Sequence, residues 1–166
     1  NHINVGGGLS IDYLNPQEKI IPNFKKYFNI YKENIKLFKN QKLYFELGRS
    51  LVGQCGFLIS KVLFTKKSYN RNYIILDAGM SELIRPSLYN SFHKISNITS
   101  KEMINKTYDV VGPLCESSDV FIKNLKLPMS KRGDLFCIHS SGAYGETMSS
   151  NYNLRNNIKS YYSDSI

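Results

Sequence analysis

Cysteine is scarce. The 166 residues contain only Cys55, Cys115 and Cys137, an odd number with no metal-ligand spacing. This count excludes a disulfide framework and points to a reducing, cytoplasmic setting. Long apolar runs are missing too: no stretch approaches the roughly 18 consecutive residues that a membrane span needs, which excludes a transmembrane helix. Neither an internal repeat nor a low-complexity segment occurs. Acidic residues are few, 13 against 22 Lys and Arg, for a formal charge of +9. Such an excess suits an acidic partner, but Lys25, Lys26, Lys32, Lys36, Lys39, Lys66 and Lys67 are scattered along the chain, so a solvated surface is favoured over nucleic-acid or membrane binding. What is present in quantity is apolar bulk, at 42% hydrophobic residues with 12 Tyr and 9 Phe, enough for a packed core and too much for a disordered chain. The chain opens on Asn1, with no basic-then-apolar signal pattern, and this opening reads as cut.

Ile3 to Val5 reads as a strand running into Gly6, Gly7 and Gly8. Three residues without side chains let backbone N–H groups converge on an anion such as phosphate; a flexible turn fits the same letters, and no P-loop lysine or dinucleotide fingerprint accompanies them. A helix follows. Asn15, Pro16 and Glu18 suit an N-cap, a first-turn proline and a capping acid, and Ile20, Phe24, Phe28, Tyr31, Ile35 and Phe38 recur at helical spacing. Pro22 would remove a donor inside that helix, so it either kinks there or begins near Pro22. The aromatic stripe is expected to be core. Leu43 to Phe45 reads as a buried strand, and residues 1–49 thus spell strand, helix, strand, the tail of an α/β unit. Residues 50–166 look mainly β, with strands expected at Leu51 to Phe64, Tyr73 to Asp77, Tyr108 to Val111 and Asp134 to His139, and one short helix around Ile84 to Ile95.

Several residues could carry chemistry. Glu46 and Arg49 follow a buried strand, where ligand-binding residues gather in α/β barrels, though a structural ion pair fits as well. Arg85 and Tyr89, four apart, could grip a carboxylate or form an ordinary surface pair. Cys115 and Glu116 lie just past a Gly-Pro turn; a lone thiol beside a carboxylate is more often inert than nucleophilic. Tyr144, between small residues, suits stacking on a planar ligand or a plain turn. Cys55 and Cys137 read as small core residues. His2, His93 and His139 are too dispersed for a metal site, and none is assigned.

The order of these motifs is more specific than any one of them. Gly6-Gly7-Gly8-Leu9, Glu46-Leu47-Gly48-Arg49, Asp77-Ala78-Gly79-Met80 with Ile84-Arg85-Pro86 and Leu88-Tyr89, Gly112-Pro113-Leu114-Cys115-Glu116-Ser117, Gly142-Ala143-Tyr144-Gly145 and Met148-Ser149-Ser150-Asn151-Tyr152-Asn153 follow one another along nearly the whole chain. In this succession the sequence resembles the diaminopimelate decarboxylases. Cys115-Glu116-Ser117 discriminates best, because related ornithine and arginine decarboxylases typically carry Cys-Asp-Gly there.

The resemblance implies an alanine-racemase-like fold: residues 1–49 as the last strand, helix and strand of a truncated (β/α)8 barrel that binds pyridoxal 5'-phosphate, and residues 50–166 as a mainly β C-terminal domain. It implies decarboxylation of meso-diaminopimelate to L-lysine and CO2 in a homodimer with shared active sites. By the same resemblance Gly6, Gly7 and Gly8, with the Glu46-Leu47-Gly48-Arg49 turn, hold the cofactor phosphate, and Glu46 pairs with the ring nitrogen. Arg49, Arg85 and Tyr89 grip substrate carboxylate, Glu116 reads the distal amino group, and Tyr144 contacts both cofactor and substrate. Cys115 is the implied acid that protonates the carbon from which CO2 departs, in the other subunit's site; a carboxylate neighbour that disfavours a thiolate is compatible with proton donation. Leu47 replaces the family's proline, which loosens the expected turn. The family's cofactor-tethering lysine lies upstream of Gly6 and has no match here, so this segment is expected to be inactive alone. An ornithine- or arginine-type decarboxylase, or a non-catalytic dimerisation module of the same fold, are the rival readings.

Overall fold

Alternating inward and outward side chains lay most of the molecule down as sheet. In the computed structural model, which describes residues 2–165, the strand Leu58–Ser68 (β3) buries Leu58, Ser60 and Val62 and exposes Ile59 and Lys61 between them. Ahead of it come β1 (His2–Asn4), α1 (Phe24–Asn34), β2 (Lys42–Tyr44), α2 (Arg49–Val52) and a 3-10 turn at Gly53–Cys55. After it come β4 (Arg71–Leu76), α3 (Arg85–Tyr89), β5 (Ile95–Asn97), β6 (Asn105–Val111), β7 (Val120–Pro128) and β8 (Leu135–Ile138).

The six strands β3 to β8 form one sheet in the order β5-β8-β3-β4-β6-β7. Its pairs are antiparallel except β4 with β6. Strand β3 switches partner along its length: residues 58–61 pair with β8, and from Val62 onward, across a register shift, it pairs with β4. The edge strands β5 and β7 touch, so the sheet curls around its core. Val62, Ile74, Leu76, Leu83, Val110, Phe136 and Ile138 fill that core with at most 1% exposure, and truncating such a phenylalanine costs about 3–5 kcal/mol. Two buried polar clusters beside it are paired. The Ser60 hydroxyl donates to Asp77 Oδ1 at 2.6 Å and accepts the Ala78 N–H at 3.0 Å, while Asp109 accepts from Arg71 at 3.1 Å and from the Asn124 N–H at 2.8 Å.

The N-terminal unit is smaller. β1 and β2 pair in parallel, with Ile3 opposite Leu43, and α1 connects them. The helix starts at Phe24, the second of the two expected placements: the Asn23 side chain caps it by accepting the Lys26 N–H at 2.9 Å, directly after Pro22, so the proline precedes the helix and costs it no hydrogen bond. The aromatic stripe is not buried core, a correction. Tyr27, Phe28 and Tyr31 pack edge-on against Phe45, yet no residue of α1 is buried because no second layer covers it.

The sheet domain departs from expectation in its details. Leu51 to Cys55 is helical turn and Gly56 and Phe57 are irregular, so the strand begins only at Leu58. Consequently Cys55 sits at the surface with its thiol on the Val52 carbonyl, whereas Cys137 is buried as expected. The helix near Ile84 ends at Tyr89, where Asn90 takes a left-handed conformation. Two strands, β5 and β7, appear where none was read. Among the described residues no helix is long and apolar enough to cross a membrane.

Candidate active site

Three turns bring four of the sequence-selected residues into one cleft. Arg49 opens α2, Arg85 and Tyr89 bracket α3, and Tyr144 lies in the turn after β8; with Ser91 and Met148 they line a cavity of about 480 Å3. Close backbone packing sets the third turn in place. The Ser141 N–H bonds the Gly56 carbonyl at 2.8 Å and the Gly142 N–H bonds the Gly53 carbonyl at 3.1 Å, and any side chain on Gly142 would collide with the Val52 carbonyl. Tyr144 is thereby held at φ +63°, a conformation bulky residues rarely adopt and one that tight surroundings must enforce.

In that position two guanidinium groups approach the Tyr144 ring, Arg49 at 5.7 Å and Arg85 at 5.4 Å, and Arg85 also stacks at 5.5 Å on Tyr89. The aromatic faces stabilise two like charges side by side but do not neutralise them. Arg85 is only 6% exposed, its Nε has no hydrogen-bond partner, and among the described residues the ion pairs are Arg71–Asp109 and Arg155–Glu82. A buried guanidinium without a counter-charge is costly, so the cleft is built for an anion supplied from outside the chain.

His93 lies beneath these arginines, buried at 2% exposure, with Nδ1 on the His139 carbonyl at 2.9 Å and Nε2 unpartnered. Burial pushes its pKa below the ordinary histidine value, and the Arg85 and Arg49 charges push the same way against the opposing His139 carbonyl. A neutral His93 keeps a third positive charge away from the anion cleft.

A second group forms around the glycines. Gly6 and Gly8 take φ values of +70° and +101°, and nothing stands within 4 Å of where a side chain on either would project. Asn4 ties this turn to the strand end: its amide donates to Glu46 Oε1 at 2.6 Å and its oxygen accepts the Gly6 N–H at 2.8 Å, while the Glu46 N–H bonds the Gly6 carbonyl at 2.8 Å. The turn is therefore anchored without the rigid φ that a proline at Leu47 would supply. A side chain on Gly48 would come within 3.9 Å of the Tyr144 hydroxyl, which places the two groups side by side.

Cys115, exposed, and Glu116, half-buried, lie on the β6–β7 connection and do not line the cleft. Hydrogen bonds from Ser118 hold Glu116 below the usual carboxylate range, with Ser117 adding to the effect. The loop is fastened from inside by Asp119, 3% exposed, whose carboxylate accepts the Leu114 N–H at 2.8 Å and the Met80 N–H at 2.7 Å. Burial raises the Asp119 pKa, against those same hydrogen bonds. Ser87 on α3 donates to the Ser118 carbonyl at 2.6 Å, linking the thiol loop to the helix that carries Arg85. Behind it, Glu82 accepts from Arg155 at 3.1 Å and Arg155 also reaches the Asp77 carbonyl, so the segment after Met148 is bound to the turn that leads into α3.

Asn4, Ser91, His93 and Asp119 were not selected from sequence. Only Asp119 left a local signal, as an acid in the Ser-rich turn after Glu116; the others act through contacts distant in the chain.

Comparison with known proteins shows the family. The family described as pyridoxal-dependent decarboxylase, C-terminal sheet domain, matches residues 13–142. A diaminopimelate decarboxylase of Bacteroides thetaiotaomicron is 56% identical over 99% of this chain, and one from Buchnera aphidicola is 43% identical over 92%. The chain spans 42% and 40% of those two proteins, about two fifths of their length. Among solved structures, the diaminopimelate decarboxylase of Helicobacter pylori complexed with L-lysine superimposes with a TM-score of 0.76 at 39% identity, over 92% of this chain and 37% of that one. The enzyme from M. jannaschii gives 0.79 at 35% identity, over 93% and 36%. A lysine/ornithine decarboxylase from Vibrio vulnificus, at 19% identity and a TM-score of 0.80 over 94% and 42%, shares the fold.

Proposed function

The chain belongs to the pyridoxal-dependent decarboxylases, whose C-terminal sheet domain it carries, and from that premise we propose that it is the C-terminal part of a diaminopimelate decarboxylase. The whole enzyme would convert meso-diaminopimelate to L-lysine and CO2 as a homodimer. In it, β1, α1 and β2 would close a (β/α)8 barrel whose other elements precede Gly6, together with the cofactor-tethering lysine. The observation that carries this reading is the buried, uncompensated Arg85, sharing the Tyr144 ring with Arg49 and stacked on Tyr89.

The residues fit pyridoxal 5'-phosphate, since the open, positive-φ turn at Gly6 and Gly8 presents backbone to an anion and the Glu46 carboxylate stands next to it. Bound there, the cofactor supplies an electron sink for the negative charge left on carbon when CO2 departs. Backbone N–H groups of Gly7 and Gly8, with the Glu46 to Arg49 turn, would hold its phosphate, while the Gly6 N–H, taken by Asn4, shapes the turn. The Glu46 carboxylate would keep a proton on the ring nitrogen. Arg49 and Arg85 would take a substrate carboxylate in charge-assisted hydrogen bonds, with Tyr89 and Tyr144 fixing their planes. Glu116, kept ionised by its serine neighbours, would receive the distal ammonium. The Cys115 thiol would deliver a proton to the carbon that lost CO2, reaching a neighbouring subunit's site from its exposed loop, which accounts for its place outside this chain's own cleft.

The test is product identification with the intact enzyme. L-Lysine and CO2 should form from meso-diaminopimelate, with ornithine and arginine turned over far more slowly. Equal turnover of ornithine would favour the ornithine-type reading, and no turnover of any of the three would favour a binding module.

A further inference from the structure

A second and larger cleft, about 620 Å3, shares no residue with the arginine cleft. Lys66 and Lys67 line it from the end of β3, Lys101 from the β5–β6 connection, Lys106 from β6 and Lys131 from the turn before β8. Lysines from four separate segments thus line one concavity, Lys67 sharing the face of Asn72, Tyr108 and Lys106 by strand register while Lys66 projects to the opposite face, against the carboxylates of Glu102 and Asp134. Neither acid neutralises them at close range. Asp134 is buried in the floor, accepting from the Asn97 amide at 2.9 Å and the Lys131 N–H at 3.0 Å, and neither ion pair among the described residues includes a lysine.

The floor is ordered rather than merely exposed. Tyr108 is 4% exposed; its hydroxyl accepts the Ser130 N–H at 3.2 Å and finds no acceptor for its own proton among the described residues. Ser130 itself is fixed, donating to the Pro128 carbonyl at 2.8 Å and accepting from Asn97 at 2.9 Å. A rigid polar floor under converging, unpaired cations favours a ligand with several separated negative groups. Lysines meet phosphate oxygens from any direction, and the lining holds no arginine fork of the kind that selects a planar carboxylate. The volume falls within the range of about 300–1,000 Å3 typical of small-molecule sites. Nucleic-acid strands ask instead for exposed stacking platforms, and the tyrosines here, Tyr73 and Tyr108, are half-buried and buried.

We propose that this cleft binds a small molecule carrying two or more phosphate groups, held by Lys67, Lys101, Lys106 and Lys131 above the Tyr108 hydroxyl. Tripolyphosphate titrated calorimetrically into the intact, pyridoxal-phosphate-saturated enzyme is the probe, because the cofactor already fills the other phosphate site. One saturable site per chain is expected, weakening as salt rises, and Lys67→Glu with Lys106→Glu should lower affinity at least about tenfold. Lys123→Glu, an equal charge change per residue outside the cleft, should lower it far less, and all variants should retain wild-type decarboxylation and melting temperature. Absence of saturable binding, or equal weakening by Lys123→Glu, would overturn the site. Equal affinity for citrate at matched ionic strength would overturn the phosphate class, and displacement by a short RNA at much lower concentration would overturn the small-molecule class. Binding is read without turnover, so failure here and failure of the decarboxylase reading are separate results.

Discussion

In the six-stranded sheet, Val62, Ile74, Leu76 and Phe136 are sealed from solvent, whereas in the β1–α1–β2 unit no helix residue is buried and Phe38 remains 80% exposed. Both regions carry large apolar side chains, so composition does not separate them; the presence of a second packed layer does. The difference divides the candidate site. Arg85, Tyr89 and Tyr144 rest on turns fastened to the closed sheet, while Gly6 to Gly8 and Glu46 rest on two short strands and a helix with an open apolar face. The proposed substrate grip is thus preassembled by a core of its own, and the proposed cofactor turn depends on further packing around α1.

The largest expected effect separates the two cores. In the intact enzyme, Phe136→Ala should cost about 3–5 kcal/mol in denaturant unfolding. Phe28→Ala, losing contacts with Phe24, Tyr27 and Phe45 from a half-exposed position, should cost less than about 1.5 kcal/mol. Equal losses would break the comparison. Next comes Arg85→Lys, which retains charge but removes the planar fork: kcat/KM should fall about a hundredfold, or about 2.7 kcal/mol, with global stability nearly unchanged.

How far these features could be read in advance depends on how local their causes are. Arg49, Arg85, Tyr89 and Tyr144 were legible through the order of their motifs, but no spacing shows that Tyr144, so far along the chain from Arg49, meets two guanidiniums. Strand β7 was hidden because Lys123, Asn124 and Lys126 interrupt its apolar alternation, and Asn124 bends it at φ +56° beside a register shift with β6. Leu51 to Phe57 read as strand because its residues are apolar, although Gly53 and Gly56 allow the close turn packing that the structure contains. The stripe on α1 was correctly periodic yet wrongly placed in the interior, since periodicity identifies a face and says nothing about what covers it.

Asp119→Asn should have a smaller effect, about 1–3 kcal/mol, because an amide cannot accept both the Leu114 and Met80 N–H groups with the charge of a carboxylate. If the Asp119 clamp positions the Cys115 loop, kcat should drop more than KM rises; a loss of stability alone would limit Asp119 to a structural role. The smallest effect is on pH dependence. His93 has a lowered folded pKa, so below the ordinary histidine value of about 6.5 the unfolded chain takes up the proton first and stability falls with falling pH, until the folded pKa is passed. Above that value both states are neutral and His93 contributes no slope. Urea unfolding between pH 8 and 5 should show this decline, and His93→Gln should flatten it.

The division between a preassembled substrate grip and a separate cofactor turn is tested most directly by one paired titration. Gly7→Ala places a methyl group 2.7 Å from the Glu46 carbonyl and should displace the turn together with its carboxylate, while leaving the arginine cleft in place. Measured by cofactor absorbance and by steady-state kinetics in the intact enzyme, Gly7→Ala should weaken pyridoxal-phosphate binding with little change in KM. Arg85→Lys should raise KM with cofactor affinity retained. Parallel losses of cofactor affinity and substrate KM in both variants would contradict the account.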